Sequence, residues 1–520
     1  MKRFNITGTC FPKRHYMVDI SGRVSQIKKM VDNGDYFCIN RGRQYGKTTT
    51  LNALKNAFKD DFCVLSISFE KLSDEAFASL EGIRYNFAGL LSEIAEYNLA
   101  SWLTDEMKEL IQKQLVDISE EKASLVFFQF ISKLNALASK PIILMIDEVD
   151  QACNHPAFIK FLGILRDKYL NREQVPTFQS VILAGVYDIK NLKLKIRPEA
   201  EHTYNSPWNI ATSFDVEMAF DVQDVEGMLN DYEHDHHTGM DIHAIAQSII
   251  DYTSGYPFLV SKLCKTIDES ELAWTHEGIV GAVKALLNER NTLFDDMNKK
   301  LDDFPNLRDM LKDILYRGEP YKYNVDDKSI ELARMFNFIT DEHGLVKISN
   351  RIFESRLYNA FAFEEESNLQ LVRESYIEKN QFIENGELDI EKIIQRFIVH
   401  YHDIYGDKDV KFHESEGRKY FMFYVKPIIN GVGNYYIEAQ TRDQLRTDMI
   451  IDYLGKQYVI EMKIWRGESY NKRGEQQLLE YLDYYHLNKG YLVSFCFNKN
   501  KQIGVKTVRV GDREIVEGVV

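Results

Sequence analysis

Two sets of residues have the types and spacing to do chemistry. The first is Gly46-Lys47-Thr48, answered far down the chain by Asp147-Glu148. An ammonium and a hydroxyl next to a glycine at the start of a helix suit a nucleoside triphosphate. Backbone N–H groups of the loop and of the helix N-terminus point at phosphate oxygens. Lys47 can reach the β- and γ-phosphates, and the Thr48 hydroxyl can ligate Mg²⁺. An acidic residue such as Asp147 beside such a loop holds Mg²⁺ through its shell, and the following carboxylate, Glu148, can orient the attacking water. The second set is Asp448, Glu461 and Lys463. Two carboxylates can bind a divalent cation that activates water, while a lysine neutralises developing charge.

The first set needs a strand, a loop and a helix to hold it. Tyr36 to Asn40 is a short apolar run that fits a buried parallel strand. Gly42, Arg43, Gln44, Tyr45, Gly46, Lys47, Thr48 and Thr49 form the expected phosphate-binding stretch, and Leu51, Leu54 and Phe58 continue it as an amphipathic helix. The usual spacing asks for glycine at 41. Arg41 stands there, and Gly42 comes one place late. Before this strand, residues 16–35 read as a short extended piece and a helix with an apolar stripe of Ile27, Met30 and Val31, ended by Gly34. Tyr16 and Val18 are expected to pack in a core.

A second strand is expected over 62–69 and mostly helix over 75–139. Ile142 to Ile146 form an apolar strand that delivers Asp147 and Glu148 at its tip. Another strand follows over 178–186, with Asp188 beyond it as a candidate γ-phosphate sensor. This strand–helix alternation predicts an α/β fold, an open parallel sheet with the nucleotide at its C-terminal edge.

At 520 residues the chain exceeds a single core and should divide into several domains. No apolar run is long enough for a membrane span, and the first residues lack the apolar region of a secretory signal. The six cysteines are scattered without C-x-x-C pairs and suggest reduced thiols in a cytoplasmic protein. A net charge of −15 argues against a generally sticky nucleic-acid binder but leaves room for a local basic groove.

RGRQYGKTTTL, PIILMIDEVDQ, SPWNIATSF (206–214), DYTSGYPFLVSKLC (251–264) and VKISNRIFES (346–355) together resemble the AAA-ATPase-like proteins of the P-loop ATPase superfamily. In that family a loop without the first glycine is ordinary. The resemblance covers about residues 10–365. It implies that Lys47 and Thr48 bind triphosphate and Mg²⁺, and that Asp147 and Glu148 are the Walker-B pair. It implies further that Gly255-Tyr256-Pro257 belongs to a helical lid. Residues 306–360 have the order of a winged helix, with a hairpin around Glu342-His343-Gly344. Among Lys193, Lys195 and Arg197, Arg197 is one of several candidates for an arginine finger. The run His234-Asp235-His236-His237 reads as a polar loop rather than a metal cluster.

Near the C-terminus, Asp448 opens an apolar run, Gly455 turns the chain, and the return strand carries Glu461 and Lys463 on one face. Gln476 and Gln477 open a helix, and a strand follows over 490–497. This order resembles the PD-(D/E)XK nuclease superfamily over about residues 405–500. The resemblance implies that Asp448 and Glu461 ligate Mg²⁺ or Mn²⁺, that Lys463 is the catalytic lysine and that Gln477 borders the site. Glu416 matches an acidic position used by some members, and Glu438 is a further candidate. Lys463, Arg466, Lys472 and Arg473 could line a groove for phosphates, followed by Lys499, Lys501, Lys506 and Arg509, with Tyr470 available to stack on a base.

The expected layout is a P-loop core over 1–214, a helical lid over 215–290, a winged-helix-like unit over 291–365, a helical connector over 366–404 and a small α/β nuclease-like domain over 405–520. The expected function is ATP binding and hydrolysis coupled to metal-dependent DNA cleavage, in restriction, repair or defence. ATP and Mg²⁺ are the cofactors and DNA is favoured over RNA as partner. No membrane is involved, and a homo-oligomer is compatible with the ATPase. The alternative is a nucleotide-dependent switch whose C-terminal fold only binds a partner or DNA. A protein remodeller has no support, since no substrate-threading loop is evident.

Overall fold

The computed structural model describes residues 2–520 except 98, 188, 190–206, 318–320, 367–369, 406–413, 430–432, 441–445, 465–467 and 497–501. It divides into two compact units. The first comprises Met1–Tyr232, Tyr256–Ser261 and Met335–Asn337; the second comprises Glu233–Gly255, Lys262–Arg334 and Phe338–Val520.

In the first unit, β1 (Arg3–Phe4) and β2 (His15–Tyr16) form a short parallel pair. Tyr16 packs against Phe4 and Tyr232, with ring centroids 5.1 and 5.2 Å away, so its role is packing. Helix α1 (Ser21–Asp32) buries Ile27 and Val31 and ends before Gly34, whose φ of +76° suits glycine. The main sheet has four parallel strands, β3 (Phe37–Asn40), β4 (Cys63–Ser68), β5 (Ile142–Asp147) and β6 (Ser180–Gly185). Their order is β3-β6-β5-β4, and every pairing is parallel. All six residues of β5 are buried, which explains its unbroken apolar run: a parallel strand is covered on both faces.

Helix α2 (Lys47–Phe58) leaves the β3 end and buries Leu51, Leu54 and Phe58. Among the described residues, the region between β4 and β5 holds a short 3-10 turn (Asp74–Phe77) and the α-helices α3 (Leu80–Glu96), α4 (Asp105–Gln112) and α5 (Glu120–Ala136). The Ser79 and Thr104 side chains accept from the Gly82 and Met107 amides at 2.9 and 3.3 Å, and so cap α3 and α4. Helix α6 (Pro156–Leu170) follows β5, and Phe161 meets Phe87 and Phe127 in an aromatic core. Because β6 lies between β3 and β5, the tips of these three strands come together at one sheet edge.

The second unit begins with helices that include Ile242–Thr253, His276–Asn288, Thr292–Asp303 and Pro305–Arg317. An antiparallel hairpin, β7 (Ile339–Glu342) and β8 (Leu345–Ile348), turns through His343 and Gly344, both at positive φ. The chain continues through helices Arg351–Glu366 and Gln370–Glu378, a small hairpin of β9 (Ile383–Glu384) and β10 (Glu387–Leu388), and helices Ile390–Tyr405 and Glu414–Ile429. A mixed sheet completes it: β11 (Gly433–Gln440), β12 (Arg446–Tyr453), β13 (Lys456–Ile464), β14 (Lys489–Phe495), β15 (Gly504–Val510) and β16 (Arg513–Val519), in the order β11-β12-β13-β14-β16-β15. The β12–β13 turn is at Leu454-Gly455, both at positive φ, as the glycine predicts.

A buried polar network ties this unit together. The Tyr252 hydroxyl, on helix Ile242–Thr253, donates to Asp452 on β12, a carboxylate with no exposed surface. Arg351 donates to the Tyr485 hydroxyl at 2.8 Å and lies over the Tyr252 ring, 5.7 Å from its centroid. Gly455 approaches Glu277 so closely that a Cβ would stand 2.6 Å from the Glu277 Cγ. Among the described residues no helix is long and apolar enough to cross a membrane.

Candidate functional site

The phosphate loop runs from the end of β3 into α2. It takes left-handed backbone at Gln44 (φ +57°) and Gly46 (φ +83°), which curls it back over the helix start. Gly46 is where that curl needs glycine most. Lys47 and Thr48 then fall in the first turn of α2, where the helix dipole favours an anion. The Lys47 ammonium donates to the carbonyls of Arg41 and Gly42 at 3.0 and 2.9 Å and so closes the loop on itself. Burial pushes the Lys47 pKa down; the carboxylates of Asp150, Glu148 and Asp147 oppose the shift. The lysine is therefore a largely desolvated group whose positive charge is supported by three nearby carboxylates.

Thr48 and Asp147, far apart in the sequence, lie side by side. The Thr48 hydroxyl donates to the Asp147 carboxylate at 2.7 Å. The other Asp147 oxygen accepts the Glu148 amide at 3.0 Å. Glu148 has φ +53°, a sparsely populated conformation for a non-glycine residue. Burial raises its pKa, and the Lys47 charge acts against the rise. Hydroxyl and carboxylate are hard oxygen donors, so the Thr48–Asp147 pair fits Mg²⁺. Thr49 faces elsewhere: its hydroxyl accepts the Cys10 amide at 3.2 Å.

Three residues of this region carry more than their sequence suggested. Asp150 accepts the amides of Val186 and Tyr187 at 2.7 and 3.0 Å, fixing the chain as it leaves β6. The same strand end accepts the Arg41 amide through the Gly185 carbonyl at 3.2 Å. Tyr256 donates its hydroxyl to the Arg43 carbonyl and stands edge-on to Tyr45, 4.7 Å between centroids. Burial pushes the Tyr45 phenol up to about 12. Asn337 accepts the Gly42 amide at 2.8 Å. The third acid of Asp147-Glu148-Val149-Asp150 and the Tyr256 of the Gly-Tyr-Pro turn were visible signals; Asn337, between two phenylalanines, gave none.

In the C-terminal sheet, Glu461 and Lys463 share a face of β13, with Lys463 Nζ 2.9 Å from Glu461 Oε1. Glu461 is fully buried. The ladder pairs Met449 with Ile460, so one step on, the β12 backbone brings Asp448 to the row of Glu461. The side chains of Asp448, Glu438 and Glu416 lie outside the described set, as do those of Tyr470, Lys472 and Arg473. The helix Glu468–Tyr484 borders Lys463: a Cβ on Gly474 would stand 3.5 Å from the lysine Cγ. That helix begins at Glu468, so Gln476 and Gln477 lie within it rather than opening it. Gln477 donates to the Tyr481 hydroxyl at 2.7 Å. Of the basic residues expected to follow, Lys506 pairs with the buried Glu517 at 2.7 Å. Asp188, Lys193, Lys195, Arg197, Arg466, Lys499 and Lys501 fall outside the described residues. Among the described residues no group of three or more His, Cys, Asp or Glu could hold a metal, the histidines at 234–237 included.

A glycine-lysine-threonine loop between a parallel strand and a helix, with an acidic pair at the tip of β5, defines a P-loop nucleotide site on an α/β sheet. The profile of the AAA-like domain family matches residues 14–362, and the chain belongs to that family. Among solved structures, it is similar to a Walker-type ATPase of Pyrococcus abyssi, at 12% identity and a TM-score of 0.49, over 68% of this chain and 99% of that one. It is also similar to the Orc1 protein of Aeropyrum pernix, solved in complex with DNA, at 11% identity and a TM-score of 0.30, over 67% and 94% of the two chains. Comparison with curated proteins finds no match.

Proposed function

We propose that the protein binds and hydrolyses ATP and that its C-terminal domain is a metal-dependent nuclease of the PD-(D/E)XK type acting on DNA in the cytoplasm. One observation carries the first half: Lys47, Thr48, Asp147 and Glu148, distant in sequence, converge at the β3 and β5 tips, with Thr48 and Asp147 2.7 Å apart. Lys47 holds the terminal phosphates. Thr48 and Asp147 are the residues that would hold Mg²⁺, which when bound neutralises phosphate charge. Glu148, its carboxyl lifted by burial, takes a proton from water more readily than an exposed glutamate does. The second half is supported by the Glu461–Lys463 pair on β13, the helix bordering it and the Asp448 row.

Full burial of Glu461 and its ion pair with Lys463 favour a second reading. In it the C-terminal fold binds a partner or DNA without cutting, and the ATPase acts as a switch. Incubation of the full chain with circular DNA, Mg²⁺ or Mn²⁺, with and without ATP, separates the two. Cleavage that is lost in Glu461→Ala supports the nuclease. Intact DNA under every condition, with ATP turnover that stops in Glu148→Gln, leaves the switch.

A further inference from the structure

We propose that Asn337 and Tyr256 are positioning residues of the nucleotide site, a clasp that holds the first half of the phosphate loop in its binding shape. The inference rests on the reading of Lys47 and its neighbours as an ATP site, and extends it to residues far from the motif.

Two hydrogen bonds meet around Gly42 and Arg43. The Gly42 amide donates to Asn337 Oδ1 at 2.8 Å, and the Tyr256 hydroxyl donates to the Arg43 carbonyl. A Cβ on Gly42 would stand 2.9 Å from Asn337 Oδ1, 3.2 Å from the Phe336 carbonyl and 3.3 Å from the Tyr256 hydroxyl. Glycine at 42 is thus required by what presses on the loop from outside. Asn337 is itself held at φ +60°, which asparagine tolerates better than most residues. Its neighbour Phe336 packs edge-on against Tyr187, 6.1 Å between centroids, and the Tyr187 amide is one of the two held by Asp150. The clasp is therefore continuous with the end of β6.

Lys47 donates to the Arg41 and Gly42 carbonyls. The clasp and the lysine consequently grip the Arg41–Gly42 peptide unit from both ends: Asn337 takes its N–H, and Lys47 takes its C=O. Releasing Asn337 frees that peptide to rotate and moves the acceptors that aim the ammonium. By linkage, whatever factor the clasp contributes to ATP affinity, bound ATP contributes to holding Tyr256 and Asn337 in place.

The test titrates the 520-residue chain with a fluorescent ATP analogue. Asn337→Gly keeps the left-handed backbone unstrained and removes the side-chain amide that accepts the Gly42 N–H. Loss of one neutral hydrogen bond predicts about 3- to 10-fold weaker binding. Gly42→Ala inserts the clashing Cβ and weakens binding further. The pair Gly42→Ala with Asn337→Gly recovers part of that loss, because the nearest clash is gone; a merely structural asparagine would give no such recovery. Tyr256→Phe removes the clasp's donor and serves if Asn337→Gly folds poorly; it too should weaken binding about 3- to 10-fold. Wild-type affinity in Asn337→Gly and Tyr256→Phe, with binding abolished in Lys47→Ala, overturns the clasp and leaves the ATP site standing. Independent, multiplying effects of Gly42→Ala and Asn337→Gly also overturn it. Undiminished binding in Lys47→Ala overturns the ATP reading itself.

Discussion

Replacing Asp150 with alanine should damage the nucleotide site without touching a residue of the phosphate loop. Its carboxylate accepts two backbone amides, Val186 at 2.7 Å and Tyr187 at 3.0 Å. A hydrogen bond to a charged group contributes about 1.5–3 kcal/mol, and the half-exposed position of Asp150 argues for the lower figure. Two such bonds give a loss of roughly 3 kcal/mol, or a fall of roughly 6–12 °C in the thermal transition of a unit this size. Asp150→Asn keeps one acceptor and turns an amide donor toward a second N–H, so it should lose at least half as much. A second effect falls on Lys47. Asp150 is the leading charge opposing the burial-driven fall of the Lys47 pKa. Without it the ammonium loses its proton at lower pH, and ATP affinity declines sooner as pH rises. Thermal melts and ATP titrations over a pH series measure both. A transition within about 1 °C of wild type, together with an unchanged pH profile, would refute the argument that this carboxylate anchors the β6 end and supports the lysine.

Three further expectations follow from other contacts. Thr48→Ala should leave ATP affinity in EDTA nearly intact while abolishing the tightening produced by Mg²⁺, because only the hydroxyl beside Asp147 is lost; paired titrations with and without EDTA check this. Tyr252→Phe strips a donor from the buried Asp452, whose pKa burial already raises. A carboxyl raised on folding binds more protons folded than unfolded, so stability falls as pH climbs from the unfolded to the folded value. The variant should therefore melt lower than wild type at neutral pH, with the gap narrowing on acidification. Lys168 is buried against Ser132 and the Phe128 ring, and burial pushes its pKa down to about 8. Above that value the unfolded chain holds the extra proton, so stability should rise toward the free lysine value of about 10.4. The melting difference between wild type and Lys168→Met should shrink over the same range.

The P-loop half was legible in the sequence because there the motif and the fold coincide. Apolar runs at 36–40 and 142–146 encode the strands whose tips carry Lys47, Thr48, Asp147 and Glu148, so one stretch reveals both element and chemistry. Gly42 shows the limit. As a sequence feature it was a displaced loop glycine; its surroundings show instead that Asn337, Phe336 and Tyr256 leave no room for a Cβ. No local pattern encodes a contact across 295 positions. The Gln477 helix was misjudged at its start because Glu468 to Lys472 are polar and offer no apolar stripe to count. At the C-terminal site the hairpin was readable from Gly455, and Glu461 and Lys463 from their spacing, whereas the complete burial of Glu461 depends on elements elsewhere in the chain.

The Tyr252–Asp452 and Arg351–Tyr485 bonds constrain how this gene can be shortened or recombined. A stop codon near residue 404 would remove Asp452 and Tyr485 together, and with them the hydrogen bonds that the Tyr252 hydroxyl and the Arg351 guanidinium make to them. The shortened product would be prone to aggregation rather than a free-standing ATPase. Exchange of the last segment between relatives should succeed only when the donor brings an acid to the Asp452 position and a hydroxyl to the Tyr485 position. Within the second unit, the helices that carry Tyr252 and Arg351 and the last sheet are bound to be inherited as one piece.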